Sequence, residues 1–105
     1  MINKRFTSIN GNHEIDITII EEIAWFDIIK FKYEECKLFI LLFKDVLTYM
    51  YENNIQYVKQ YVNNSDVEMF KYSEYVINND YSIITTPIDQ FIDEICNVLN
   101  IKKLI

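Results

Sequence analysis

In 105 residues the chain has one glycine, Gly11, and one proline, Pro87. Glycine ordinarily supplies the positive φ of tight turns, and proline ends regular elements. Without them, boundaries must fall at asparagine clusters and at changes of hydrophobic period. The same scarcity excludes chemistry. Loops that cradle pyrophosphate are glycine-rich because the backbone must approach the ligand closely. Here the lone glycine lies in the pair Asn10-Gly11, so acyl-CoA, dinucleotide and nucleoside-triphosphate loops of familiar kinds are absent.

Asn10-Gly11 suits a two-residue type I′ turn, joining "KRFTSI" to "HEIDITI" as a β-hairpin. In the second arm Ile15, Ile17 and Ile19 alternate with Glu14, Asp16 and Thr18, the pattern of a half-buried strand. After a turn near Glu21 and Glu22, "IAWFDIIKF" at 23–31 reads as a third strand. Residues 34–52 form a helix whose polar stripe is narrow: Glu34, Lys37, Lys44, Asp45, Thr48 and Glu52, interrupted by Leu41. An apolar arc that wide must be sandwiched between a sheet and a second helix or second subunit.

"IQYVKQYV" at 55–62 suits an exposed or edge strand. Ser65 and Glu68 have capping-box spacing, opening a short helix through about Tyr75. A short strand "YSIIT" follows the cluster Asn78-Asn79-Asp80. Thr86 as N-cap, Pro87 at the first helical position and Asp89 in the first turn announce a last helix, which Lys102 and Lys103 close. The fold class expected is α+β, a small two-layer sandwich over a single domain, 1–105. An N-terminal antiparallel hairpin or meander sheet carries two main helices, about 34–52 and 87–100.

Half the residues are hydrophobic and 15% are aromatic, more than a domain of this size hides easily, which favours a self-association or partner surface. The net charge of −6 disfavours binding to phosphate backbones or anionic membranes. Cys36 and Cys96 lie in apolar helical patterns without metal-ligand spacing, so buried free thiols in a reducing, cytoplasmic setting are expected. The longest apolar run, "LFILLF" at 38–43, is far below the roughly 20 residues of a membrane span. The N-terminal residues have no apolar core of signal-peptide length.

His13, the one histidine, is the first suspect for acid–base work. Glu14 beside it points to the opposite face of the strand, and no cluster supplies a second member, so a solvent-exposed turn-flanking role is expected. Asp89 and Asp93, one turn apart and extended by Asn97, lack a histidine or third carboxylate at ligand spacing, so no metal, catalytic or cofactor residue is assigned. Charge is uneven: Asp66, Glu68, Glu74, Asp80, Asp89, Asp93 and Glu94 face the single Lys71 between 66 and 94.

These observations lead to an expectation of a non-enzymatic protein–protein interaction module. It would be an inhibitor or antagonist, of the immunity or virus-encoded anti-defence type, docking on a basic nucleic-acid-handling protein. The contact residues would be Asp66, Glu68, Glu74, Asp89, Asp93 and Glu94, with Tyr57, Tyr61, Tyr72 and Tyr75 supplying area. A homo-oligomer, most simply a dimer, is also expected, with no cofactor and no direct binding to nucleic acid or membrane. The alternatives are a homo-oligomeric scaffold protein and a minimal small-ligand-binding domain or enzyme.

Overall fold

The computed structural model describes residues 1–101. Lys102 and Lys103, expected at the end of the last helix, lie outside them. Strands β1 (Ile2–Thr7), β2 (Glu14–Ile20) and β3 (Ile23–Lys30) form an antiparallel meander. Helix α1 (Cys36–Glu52) carries the chain to β4 (Tyr57–Val62), which pairs parallel with β3. Strand β6 (Ser82–Pro87) pairs antiparallel with β4 and with β5 (Glu74–Ile77), and helix α2 (Phe91–Val98) follows. The result is a mixed, mostly antiparallel six-stranded sheet in the order β1-β2-β3-β4-β6-β5.

Period-two alternation decides which face is covered. Ile15, Ile17 and Ile19 are buried, and the register carries that face across the sheet: Ile19 opposite Ala24, Ala24 opposite Val58, Val58 opposite Thr86, Gln60 opposite Ile84. From α1, Phe39, Phe43, Val46 and Met50 join this core, and from α2, Phe91 and Ile95. Three rings tie the layers together: Phe26 of β3 meets Phe43 edge-on at 5.8 Å and Phe91 at 4.8 Å, and Phe43 lies 5.5 Å from Phe91. Each such buried ring contributes about 1.5–3 kcal/mol. Both helices therefore lie on one face, as the two-layer α+β reading requires. Along β3 and β4 the other face carries Trp25, Asp27, Tyr57, Lys59 and Tyr61, half-buried or exposed.

Asparagine takes over the role of the missing glycines. Both helices end in a residue with positive φ, Asn54 at 57° and Asn100 at 53°. In each, the two amides after the cap fold back in the Schellman pattern: Asn54 N–H to the Tyr51 carbonyl and Ile55 N–H to that of Met50, Asn100 N–H to Asn97 and Ile101 N–H to Cys96. Ile55 and Ile101 are buried by the same closure.

Several expected details are corrected. The first hairpin closes not by a two-residue I′ turn but by the longer loop Ser8–His13, in which Gly11 (φ 77°) has positive φ and Asn10 does not. Strand 57–62 is not an edge: it lies between β3 and β6. The Ser65–Glu68 capping box does not form; 64–69 is a 3-10 turn without a side-chain cap, and Tyr75 belongs to β5. Thr86 and Pro87 end β6 rather than start a helix, because pairing with Val58 and Tyr57 holds them in the sheet. The last helix proper begins at Phe91, after a 3-10 turn at Ile88–Gln90.

Candidate functional site: a cleft between parted strands

The parallel pairing of β3 with β4 stops early. It joins Ile23 to Tyr57, Ala24 to Val58 and Trp25 to Lys59, after which the strands part although each continues for several residues. Among the described residues no strand fills the gap. Between the parted ends is a cavity of about 450 Å³ lined by Phe26, Asp27, Ile28, Gln60, Tyr61, Val62 and, from the 3-10 turn beyond, Asp66 and Met69. A second hollow of about 400 Å³ opens on the uncovered face, lined by Asp16, Thr18, Trp25, Asp27 and Tyr61. Phe26, Asp27 and Tyr61 border both, so the two hollows are neighbours. Ligands of α/β sheets bind where the strand ends part like this, and a small-molecule site needs about 300–1,000 Å³.

Within the cleft, Gln60 stands out. It is 8% exposed, and its side-chain nitrogen has no hydrogen-bond partner among the described residues. A buried amide donor left unpaired costs about 1–3 kcal/mol. The alternation of β4 puts it there, because Val58, Gln60 and Val62 share the covered face. On the open face Trp25 and Tyr61 stack at 4.8 Å, Tyr81 meets Tyr61 edge-on at 5.2 Å, and the Lys59 ammonium lies 5.8 Å over the Trp25 ring. That ring face already takes a cation. Asp16 accepts from Asn3 at 3.1 Å and pairs with Arg5 at 3.6 Å, whereas Asp27 is exposed.

At the start of α1 the chemistry is anionic. The Glu35 carboxylate accepts hydrogen bonds from the side-chain amides of Asn10 and Asn12, at 2.9 Å each for the shorter contact. The bonds from Asn12 and then Asn10, with lesser help from Lys32 nearby, hold its pKa below the ordinary glutamate value. The helix-start amides are engaged within the chain, Glu35 N–H on the Lys32 carbonyl and Cys36 N–H on that of Tyr33.

His13 is not a solvent-exposed flank of a turn. It is 0% exposed, its ring 5.7 Å from both Phe31 and Phe39, and its Nδ1 accepts a long bond, 3.4 Å, from Lys32 N–H. The loop that Asn10, Asn12 and Glu35 hold down is the reason.

The residues expected to meet a partner are dispersed. Tyr57 and Tyr61 lie on the open face of β4, Tyr75 on β5, and Tyr72 just before it. Asp66 lines the cleft, and Glu74 borders a separate hollow with Tyr57 and Tyr72. Glu68 is exposed on the 3-10 turn, Asp89 accepts from the Tyr51 hydroxyl at 3.0 Å, and Asp93 is on the outer side of α2. Glu94 belongs to no exposed face. It is 0% exposed, accepting from Tyr72 N–H at 2.7 Å and from the Ser73 hydroxyl at 2.6 Å. Sequence reading missed Gln60 and the parting strands altogether; the signal available was a polar residue between two inward valines.

No family model and no curated protein sequence matches the chain. Solved structures do. A chimera of the spermidine N-acetyltransferase SpeG from Vibrio cholerae and hSSAT aligns over 87% of this chain and 72% of its own, with a TM-score of 0.52 and 13% identity. Mutant forms of the spermidine/spermine N-acetyltransferase SpeG from Vibrio cholerae align over 87% and 70%, at 0.49 and 16%. The likeness is one of fold: a fold on which small-molecule acetyl transfer is carried out. It corrects the expectation of a non-enzymatic interaction module, inhibitor or virus-encoded antagonist, and with it the expectation that the chain is no enzyme.

Proposed function

We infer that the protein is a small-molecule N-acyltransferase that transfers an acyl group from a thioester to an organic amine of the polyamine type. The observation that carries this reading is the parting of β3 and β4 after Trp25 and Lys59, which opens a cavity bordered by the buried, unpaired Gln60 amide. The likeness of fold to a spermidine N-acetyltransferase supports it. The division of labour follows from the two neighbouring hollows. The thioester arm occupies the gap between the strands, where the Gln60 amide donates to a carbonyl of the arm. The amine lies on the open face, where the exposed carboxylate of Asp27 recognises a cation beside the stacked rings of Trp25 and Tyr61.

In the transfer the neutral amine nitrogen attacks the thioester carbonyl carbon. The N–C bond forms, the C–S bond breaks, and the proton lost by nitrogen ends on the departing thiolate, giving an amide and a thiol. The chain's contribution is to hold the two reactants at attack distance, a large effect in its own right. A cytoplasmic setting belongs to this reading, and the reduced thiols of Cys36 and Cys96 suit it. Among the described residues no helix is long and apolar enough to cross a membrane.

The test is to incubate the protein with spermidine and acetyl thioesters, following thiol release and the mass of the amine. Acetylspermidine formed faster than in protein-free controls supports the reading; no transfer to spermidine, spermine or simpler diamines from any thioester refutes it.

A further inference from the structure

The first place to expect a diphosphate in a β-α-β unit is the helix N-terminus beside the end of the first strand, where free amides and the positive end of the helix dipole meet the cleft. In this chain that place is the start of α1, beyond the end of β3, and it does not fit an anion. The segment 31–36, "FKYEEC", has no glycine to let a phosphate approach the backbone. The Glu35 and Cys36 amides are turned inward onto Lys32 and Tyr33 carbonyls. The Glu35 carboxylate is fastened there by Asn10 and Asn12. The cleft repeats the sign: Asp27 and Asp66 line it, and among the described residues no lysine or arginine does. Lys32 and Lys37 are exposed on the turn and first helical residues, outside the cavity.

Resting on the acyltransferase reading above, we propose that the acyl donor of this site is a thioester whose arm carries no phosphate, one short and uncharged enough to lie wholly within the β3–β4 cleft. The cleft's volume of about 450 Å³ suits such an arm. Gln60, which lines the cavity and whose side-chain nitrogen has no partner among the described residues, supplies its polar contact. A nucleotide thioester lying in the cleft would have to leave its diphosphate beside Asp27 and Asp66, the carboxylates that line it. Like charges held that close, unscreened, lower affinity by about tenfold.

The experiment is a calorimetric titration of the full chain with S-acetylpantetheine and with acetyl-coenzyme A at low ionic strength, repeated in 0.5 M salt. The expected result is binding of S-acetylpantetheine with at least about tenfold preference over acetyl-coenzyme A, a gap that narrows in salt as repulsion is screened. In the variant Asp66→Asn, acetyl-coenzyme A gains affinity while S-acetylpantetheine does not. Circular dichroism checks that this variant folds, and the wild-type comparison decides the matter without it. Tighter binding of acetyl-coenzyme A, or its displacement by ADP, overturns the donor assignment and leaves the acyltransferase reading standing. Absence of binding and of transfer with both donors overturns the two together.

Discussion

Glu94→Ala is the substitution whose cost the structure defines best. The wild-type carboxylate is fully buried on α2 and accepts from the Tyr72 amide at 2.7 Å and the Ser73 hydroxyl at 2.6 Å. The Ser73 hydroxyl has a second partner, the Thr86 hydroxyl at 2.6 Å, so it survives the loss by turning to it. The Tyr72 amide has no such choice in these contacts, and stranding it costs about 1–3 kcal/mol. The one buried methylene group that is lost, Cγ, adds about 0.8 kcal/mol. The sum is about 3 kcal/mol of lost stability. Urea denaturation at pH 7 reads it as a fall in midpoint of about 1.5 M for an m of about 2 kcal/mol/M. Thermal melting reads it as a drop of about 12–24 °C. Glu94→Gln keeps an acceptor for Tyr72 and loses less than half as much. An alanine variant within about 0.5 kcal/mol of wild type, or a glutamine variant as damaged as alanine, refutes the argument that these bonds hold α2 to the start of β5.

Gln60→Met removes an unpaired buried donor without changing volume much, so stability holds or rises while binding of the thioester arm falls at least about tenfold, as paired denaturation and calorimetry will show. Trp25 is the one tryptophan, so its fluorescence reports spermidine binding on the open face directly; Tyr61→Ala weakens that binding about fivefold by removing half of the stacked pair. For Glu35 the depressed folded-state pKa fixes the sign: its contribution is fully present above the unfolded-state pKa and is lost as pH falls through the lowered value. Hydrogen-exchange protection of loop 8–13, taken relative to the intrinsic rate at each pH, therefore falls on acidification in the wild type and is already lowered at pH 7 in Glu35→Gln. Gly11→Ala meets no atom within 4 Å of its new Cβ, so its cost comes from φ of 77° alone, about 1 kcal/mol by denaturation.

What could be read beforehand follows from local pattern. The isoleucines of β2 and the long apolar run of α1 declare their elements by period alone, whatever surrounds them. Thr86 and Pro87 carry every local sign of a helix start, yet cross-strand pairing with Val58 and Tyr57 takes precedence. β5 hides in a stretch whose pairing partner arrives later in the chain. Glu94 was legible in principle, since Phe91, Glu94, Ile95 and Val98 share the i, i+3, i+4, i+7 stripe of α2. The cleft was not, because it exists where a ladder of hydrogen bonds stops, and no residue type encodes that.

The short ladder between β3 and β4 also divides the sheet mechanically. On one side lies the meander β1-β2-β3, built from neighbours in sequence; on the other, β4-β6-β5. Three residue pairs at one end join them, with α1 and its packed rings as the strap. A plate seamed at one end bends along the seam, so the two halves can rock and change the width between them at little cost in hydrogen bonds. The meander, made of local contacts, is placed to fold first, and the far half to open first under native-state hydrogen exchange.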